Sequence, residues 1–141
     1  MSDQPFATGH CLCGTVHYTI NTPPVRMAQC HCEHCRRASG TGHMSLAFFS
    51  SDDMTINGET THFTTTADSG NVKTFAFCPT CGSRLFGTNS GRPGLTSVAV
   101  GTIDDSSWFK PEAIVYANSR PVWDQMDDSI PAFDTMPPAP K

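Results

Sequence analysis

Seven cysteines in three motif-spaced groups are the residues of this chain best suited to chemistry. The first group is Cys11-Leu12-Cys13-Gly14. Residues i and i+2 of an extended segment point to one face, so both sulfurs can reach one metal ion. Gly14 leaves the backbone free to turn beside them. The last group, Cys78-Pro79-Thr80-Cys81-Gly82, has the form of a zinc knuckle. Pro79 presets a tight turn, and Gly82 accepts the positive φ that follows it. Together Cys11, Cys13, Cys78 and Cys81 supply four thiolates, the usual closed set of a structural zinc. The two pairs stand far apart, so a shared metal would clamp an early strand to a late one across a long loop.

The middle group is Cys30-His31-Cys32-Glu33-His34-Cys35-Arg36-Arg37. It merges an i, i+2 pair with a knuckle. Cys30, Cys32 and Cys35 converge, and no fourth cysteine is left over. Three protein ligands and one open position is the layout of a catalytic zinc. The alternative is a second structural zinc completed by His31, His34 or His43. A thioredoxin-like redox role for Cys78 and Cys81 needs a βαβ context that the pattern does not supply. An odd cysteine count also fits badly with a closed disulfide framework. The histidines carry less signal. His10, His17, His31, His34 and His62 are all expected to face water, with His31 and His34 turned away from the metal.

Short β elements must position these groups. Val16, Tyr18 and Ile20 alternate onto one face before the stop at Asn21-Thr22-Pro23-Pro24. Further strands are expected at 25–30, 44–50, 72–77, 96–100 and 113–116. Met54-Thr55-Ile56 runs into Asn57-Gly58, a hairpin signal, with Thr61-His62-Phe63-Thr64 as the returning strand. One short helix is expected over 34–39, capped by Gly40. The first ten residues read as a loose lead-in, and residues 126–141 as an irregular surface tail. The expectation is a mainly β domain, largely antiparallel, with long loops.

Composition narrows the function. Apolar content is 38% over 141 residues, with eleven Gly and eleven Pro. Such a chain gains from a metal cross-link. The net charge is −4 and the only basic pair is Arg36-Arg37, which argues against nucleic acid as partner. No apolar run is long enough to span a bilayer, and the N-terminus lacks a signal core. A cytoplasmic location is expected.

The quoted motifs resemble the glutathione-dependent formaldehyde-activating enzyme family, which also includes centromere protein V. The match rests on Gly9-His10-Cys11-Leu12-Cys13-Gly14-Thr15-Val16, on Cys30 to Gly40, on Phe77-Cys78-Pro79-Thr80-Cys81-Gly82 and on Ser119-Arg120-Pro121-Val122-Trp123. It covers most of the chain, as a single domain over 8–137 with a lead-in at 1–7 and a tail at 138–141. The resemblance implies a β-tent of stacked antiparallel sheets. It implies two zinc ions per chain, one on Cys11, Cys13, Cys78 and Cys81, the other on Cys30, Cys32 and Cys35. It also implies the joining of formaldehyde and glutathione to S-(hydroxymethyl)glutathione, a carbon–sulfur lyase reaction in reverse. Many members carry a His near the position of Ile114, where this chain is apolar.

Glutathione carries two carboxylates, so cations should line its pocket. Arg36 and Arg37 are the first candidates from sequence, with Phe48, Phe49 and Trp123 as possible walls. A non-catalytic zinc-stabilised binding module and a metal or redox buffer are the competing functions. Exposed strand edges would permit a homodimer.

Overall fold

The computed structural model describes residues 4–137. Among them are ten strands and one α-helix. In chain order the elements are β1 (Ala7–His10), β2 (His17–Ile20), β3 (Arg26–Cys30), α1 (Glu33–Ser39), β4 (Met44–Ser50), β5 (Met54–Asn57) and β6 (Thr61–Thr66). They continue with β7 (Val72–Phe77), β8 (Arg84–Asn89), β9 (Leu95–Ala99) and β10 (Ala113–Val115). The fold is mainly β, with two stacked sheets. The smaller has the order β1-β2-β5, and the larger β10-β3-β4-β9-β8-β7-β6. Every pair is antiparallel except β10 with β3. No helix among the described residues is long and apolar enough to cross a membrane.

The core lies where the sheets face each other. Val16, Tyr18 and Ile20 on the small sheet's side meet Ala47 and Phe49 of β4, Leu85 and Phe86 of β8, and Val98 of β9. Burying such side chains contributes about 1.5–3 kcal/mol each for the larger aliphatics and Phe. The alternation that marked β2 in the sequence is thus the alternation between core and solvent.

Three expectations change on the structure. The first ten residues are not a loose lead-in throughout, because β1 pairs antiparallel with β2, from Ala7 opposite Ile20 to His10 opposite His17. Asn57-Gly58 does not close a hairpin. β5 pairs with β2 in the small sheet, whereas β6 pairs with β7 in the large one. The turn carries the chain from one sheet to the other. Gly58 is required there, with φ of +100° and a side chain that would collide with the Thr15 carbonyl oxygen. Gly58→Ala is therefore expected to cost about 1–3 kcal/mol. A lower urea midpoint at unchanged slope would report it.

The third change concerns the C-terminal segment. It is irregular, but it is hydrogen-bonded along β10. Ile114 N–H donates to the Pro131 carbonyl at 2.9 Å, Phe133 N–H to that of Ile114 at 2.9 Å, and Tyr116 N–H to that of Thr135 at 3.1 Å. This covers one edge of the large sheet. The other edge, β6, is largely exposed. Residues 138–141 of the expected tail lie outside the described residues.

Candidate metal centres and the clefts beside them

The sulfurs of Cys11, Cys13, Cys78 and Cys81 lie within 4.8 Å of one another. Cys11 and Cys13 sit in the β1–β2 turn, and Cys78 and Cys81 in the β7–β8 turn, so the cluster links the two sheets. Cys11 Sγ is 3.6 Å from Cys13 Sγ, which is 3.8 Å from Cys78 Sγ. A tetrahedral zinc with Zn–S bonds of about 2.3 Å has sulfur–sulfur edges of about 3.8 Å. The donor set and its spacing therefore fit zinc. Backbone N–H groups already point at the sulfurs: Val16 at Cys11, 3.3 Å away, and Thr80 and Cys81 at Cys78, both 3.4 Å away. The Ser83 hydroxyl accepts from Leu12 N–H at 2.9 Å and faces Cys81 Sγ at 3.2 Å. Ser83 holds the Cys81 thiol down to about 5. These contacts favour thiolates and orient them.

Cys30, Cys32 and Cys35 form a second cluster. Cys30 ends β3, Cys32 caps α1 by accepting the Cys35 N–H at 3.4 Å, and Cys35 lies in the helix. Gly40 closes the helix at φ of +76°, its N–H donating to Arg36. Among the described residues no His, Asp or Glu joins this cluster. Cys30 and Cys35 are buried and Cys32 is half-buried. Contacts from the Cys30 and Cys35 thiols, together with the Lys73 charge, lower the Cys32 pKa, while its neighbours are pushed up.

One cation touches this cluster, and two more, Arg84 and Arg92, feel the charges of Cys35 and Cys30. Lys73 Nζ lies 4.0 Å from Cys32 Sγ and donates to His34 Nδ1 at 3.3 Å. The Arg84 guanidinium stacks 3.7 Å from the centre of the Phe75 ring, and that of Arg92 lies 5.6 Å from the Phe48 ring. Burial pulls the Arg84 pKa down to about 10 and lowers that of Arg92. Among the described residues none of the three forms an ion pair with a carboxylate. Half-buried cations without carboxylate partners are costly, and the cluster's own thiols are among the anionic groups acting on these three.

Phe75 separates two clefts. The smaller, about 60 Å³, is lined by Phe48, Lys73, Asn89, Arg92 and Ser97 among others. The larger, about 320 Å³, lies between α1 and strands β6 to β8.

The family model of the glutathione-dependent formaldehyde-activating enzyme matches residues 6–119. The chain belongs to this family. None of the curated proteins matches it. A crystal structure of a Rhodobacter sphaeroides protein is similar, with a TM-score of 0.55 at 22% identity. The match covers 69% of this chain and 87% of that one, and it supports the shared fold.

Within this family frame, the arginines chosen from sequence sit differently from each other. Arg37 pairs with Glu33 at 2.9 Å on the open face of α1, and it lines the larger cleft. The Arg36 Nε is buried without a partner. Lys73, Arg84 and Arg92 were missed by sequence reading. Lys73 shares one face of β7 with Phe75 and Phe77, which was the one available signal. Phe48 lines the smaller cleft, Phe49 is fully buried core, and Trp123 is exposed. Ile114, near the family's common His position, is buried, lies opposite Gln29 of β3 and bridges Ala132.

His31 is a correction: it is fully buried, not solvated. Its Nδ1 faces the Gly42 carbonyl at 2.9 Å and Asp124 Oδ2 at 3.3 Å. His43 Nδ1 reaches the same carboxylate oxygen at 2.8 Å. Burial lowers the His31 pKa. These three residues also bring ligand atoms within 4.8 Å of one another, but their spacing is that of hydrogen bonds, and we read them as a clamp. The clamp ties the cysteine loop to Asp124, which lies beyond the family match. A side chain at Gly42 would overlap the carboxylate. Asp124→Ala is expected to cost about 1–3 kcal/mol, because it leaves the part-buried His43 imidazole without its acceptor and takes from His31 the second of its two. Chemical denaturation checks this. Tyr116 is the only non-glycine residue at positive φ (56°) among the described residues. It packs against the Cys30–Cys35 cluster, where held strain commonly serves function.

Proposed function

We propose that the chain is a zinc-dependent carbon–sulfur lyase-type enzyme. Its substrate is a glutathione, or similar thiol, adduct of an aldehyde, as in S-(hydroxymethyl)glutathione synthesis. The observation that carries this reading is a three-cysteine cluster that, among the described residues, has no fourth protein ligand and lies near cations without carboxylate partners. Cys11, Cys13, Cys78 and Cys81 would hold a structural zinc, and Cys30, Cys32 and Cys35 a second one. A zinc held by three thiolates is a soft Lewis acid that favours the thiolate form of an incoming thiol and polarises a carbonyl oxygen.

The chain's own residues supply the rest. Lys73 and Arg92 bind carboxylates of the thiol substrate in the smaller cleft, and Arg36 and Arg37 are further candidates from α1. Fixing the thiol beside the cluster turns a bimolecular encounter into an oriented one. In the synthetic direction, a bond forms between the thiol sulfur and the aldehyde carbon. The carbonyl π pair moves to oxygen, and the proton lost by the thiol ends there. The lyase direction is the reverse, with no oxidant or reductant required. The reducing cytoplasm suits such thiol-dependent sites.

Exchange spectroscopy by NMR on formaldehyde, glutathione and their adduct tests the proposal. The zinc-loaded protein should accelerate interconversion. No acceleration at any pH with both sites loaded would overturn it.

A further inference from the structure

The larger cleft has no use for a one-carbon aldehyde. Formaldehyde contributes two non-hydrogen atoms, whereas the cleft holds about 320 Å³, within the usual range for small-molecule pockets. One wall is aromatic, made by Phe63, Phe75 and Phe77. Phe63 of β6 lies directly opposite Phe75 of β7, and Phe77 follows on the same face by strand alternation. Ala38 of α1 faces them, and Phe63 is left 59% exposed. The three phenyl rings and Ala38 form an apolar wall that would remove a hydrocarbon group from water, while Arg37, Arg84, Thr65 and His34 confine polar contacts to the rest of the lining. The smaller cleft, about 60 Å³, has room for one carboxylate end of glutathione, which Lys73, Asn89, Arg92 and Ser97 could contact.

The two clefts share Phe75, and one lining residue of each leads to the cysteine cluster. His34 lines the larger one and contacts Lys73, which lines the smaller one and lies 4.0 Å from Cys32 Sγ. A thiol bonded at the cluster would therefore have a polar arm on one side of Phe75 and an apolar arm on the other. We propose, building on the enzyme reading above, that the aldehyde half of this chain's substrate carries an apolar, preferentially aromatic, group that occupies the cleft between α1 and strands β6 to β8. The bond made or broken stays the carbon–sulfur bond. The carbon bears an organic substituent in place of a second hydrogen. Arg84, stacked on Phe75, holds one ring wall in place.

Calorimetric titration of the zinc-loaded protein with S-methylglutathione and S-benzylglutathione decides this. The benzyl compound should bind about tenfold tighter, from the extra apolar area removed from water. Thr65→Trp, which fills the cleft from β6, should bring the two affinities within about twofold of each other. Phe63→Ser alters an exposed edge residue outside the core and should shrink the preference in the same direction. Equal binding of both compounds by the unaltered protein, or a preference that survives Thr65→Trp in folded protein, would overturn the inference. The thiol-binding reading would stand in that event. Failure of both compounds to bind, together with no acceleration of adduct exchange, would remove the enzyme reading and this inference with it.

Discussion

Cys81→Ser is expected to unfold the chain at room temperature, whereas Cys35→Ser keeps the fold and loses only one metal. The division follows from where each cluster sits. Cys11, Cys13, Cys78 and Cys81 join the β1–β2 turn of one sheet to the β7–β8 turn of the other. A metal there would close a long loop and hold the two sheets face to face. Structural zinc supplies roughly 10–16 kcal/mol of apparent binding energy, comparable with the 5–15 kcal/mol stability of a whole domain. The second cluster spans neighbouring segments, from the end of β3 to the first turn of α1. It lies outside the main core, in a small cluster with Met44 and Val115. Far-ultraviolet circular dichroism and metal content of both variants would check the contrast. Equal loss of structure in the two would contradict it.

The second large effect concerns the cations. Lys73→Ala and Arg92→Ala should each raise KM for a dicarboxylate thiol by about 10–100-fold, since a hydrogen bond to a charged group contributes about 1.5–3 kcal/mol. Arg37→Ala should change KM far less, because Arg37 is mostly exposed and already paired with Glu33. Rising salt should weaken substrate binding in the unaltered protein and matter less in the double variant. The same reasoning predicts that Arg84→Leu leaves the fold as stable or more stable. It removes a half-buried charge that lacks a carboxylate partner. Steady-state kinetics and thermal melts of the same variants separate the two effects.

The parts of the fold legible in the sequence are those governed by neighbours along the chain. Met44–Ser50 and Val72–Phe77 were readable from composition and alternation, and both strands have the expected bounds. Gly40 after Ser39 marked the helix end, because a left-handed cap needs glycine. β8 escaped notice. Leu85, Phe86 and Gly87 are buried in succession, so the strand shows no two-residue period, and Gly87 is a poor strand former that faces Ser97. Asn57-Gly58 carried a true turn signal with a false partner. Turn chemistry specifies how the backbone bends, and sheet pairing specifies where the next strand goes.

The grouping of the cysteines was determined by the sequence alone, because spacings of two and three residues set which way neighbouring sulfurs point. Tertiary structure alone decided what surrounds them. Lys73, Arg84 and Arg92 come from β7, β8 and the loop after it, and His31 meets Asp124 from the far end of the chain. No local pattern encodes such meetings, since they arise from the order in which strands pair across a sheet. Burial then acts on what has been assembled, leaving His31 in the interior and three cations near a thiol cluster with no carboxylate paired to them among the described residues.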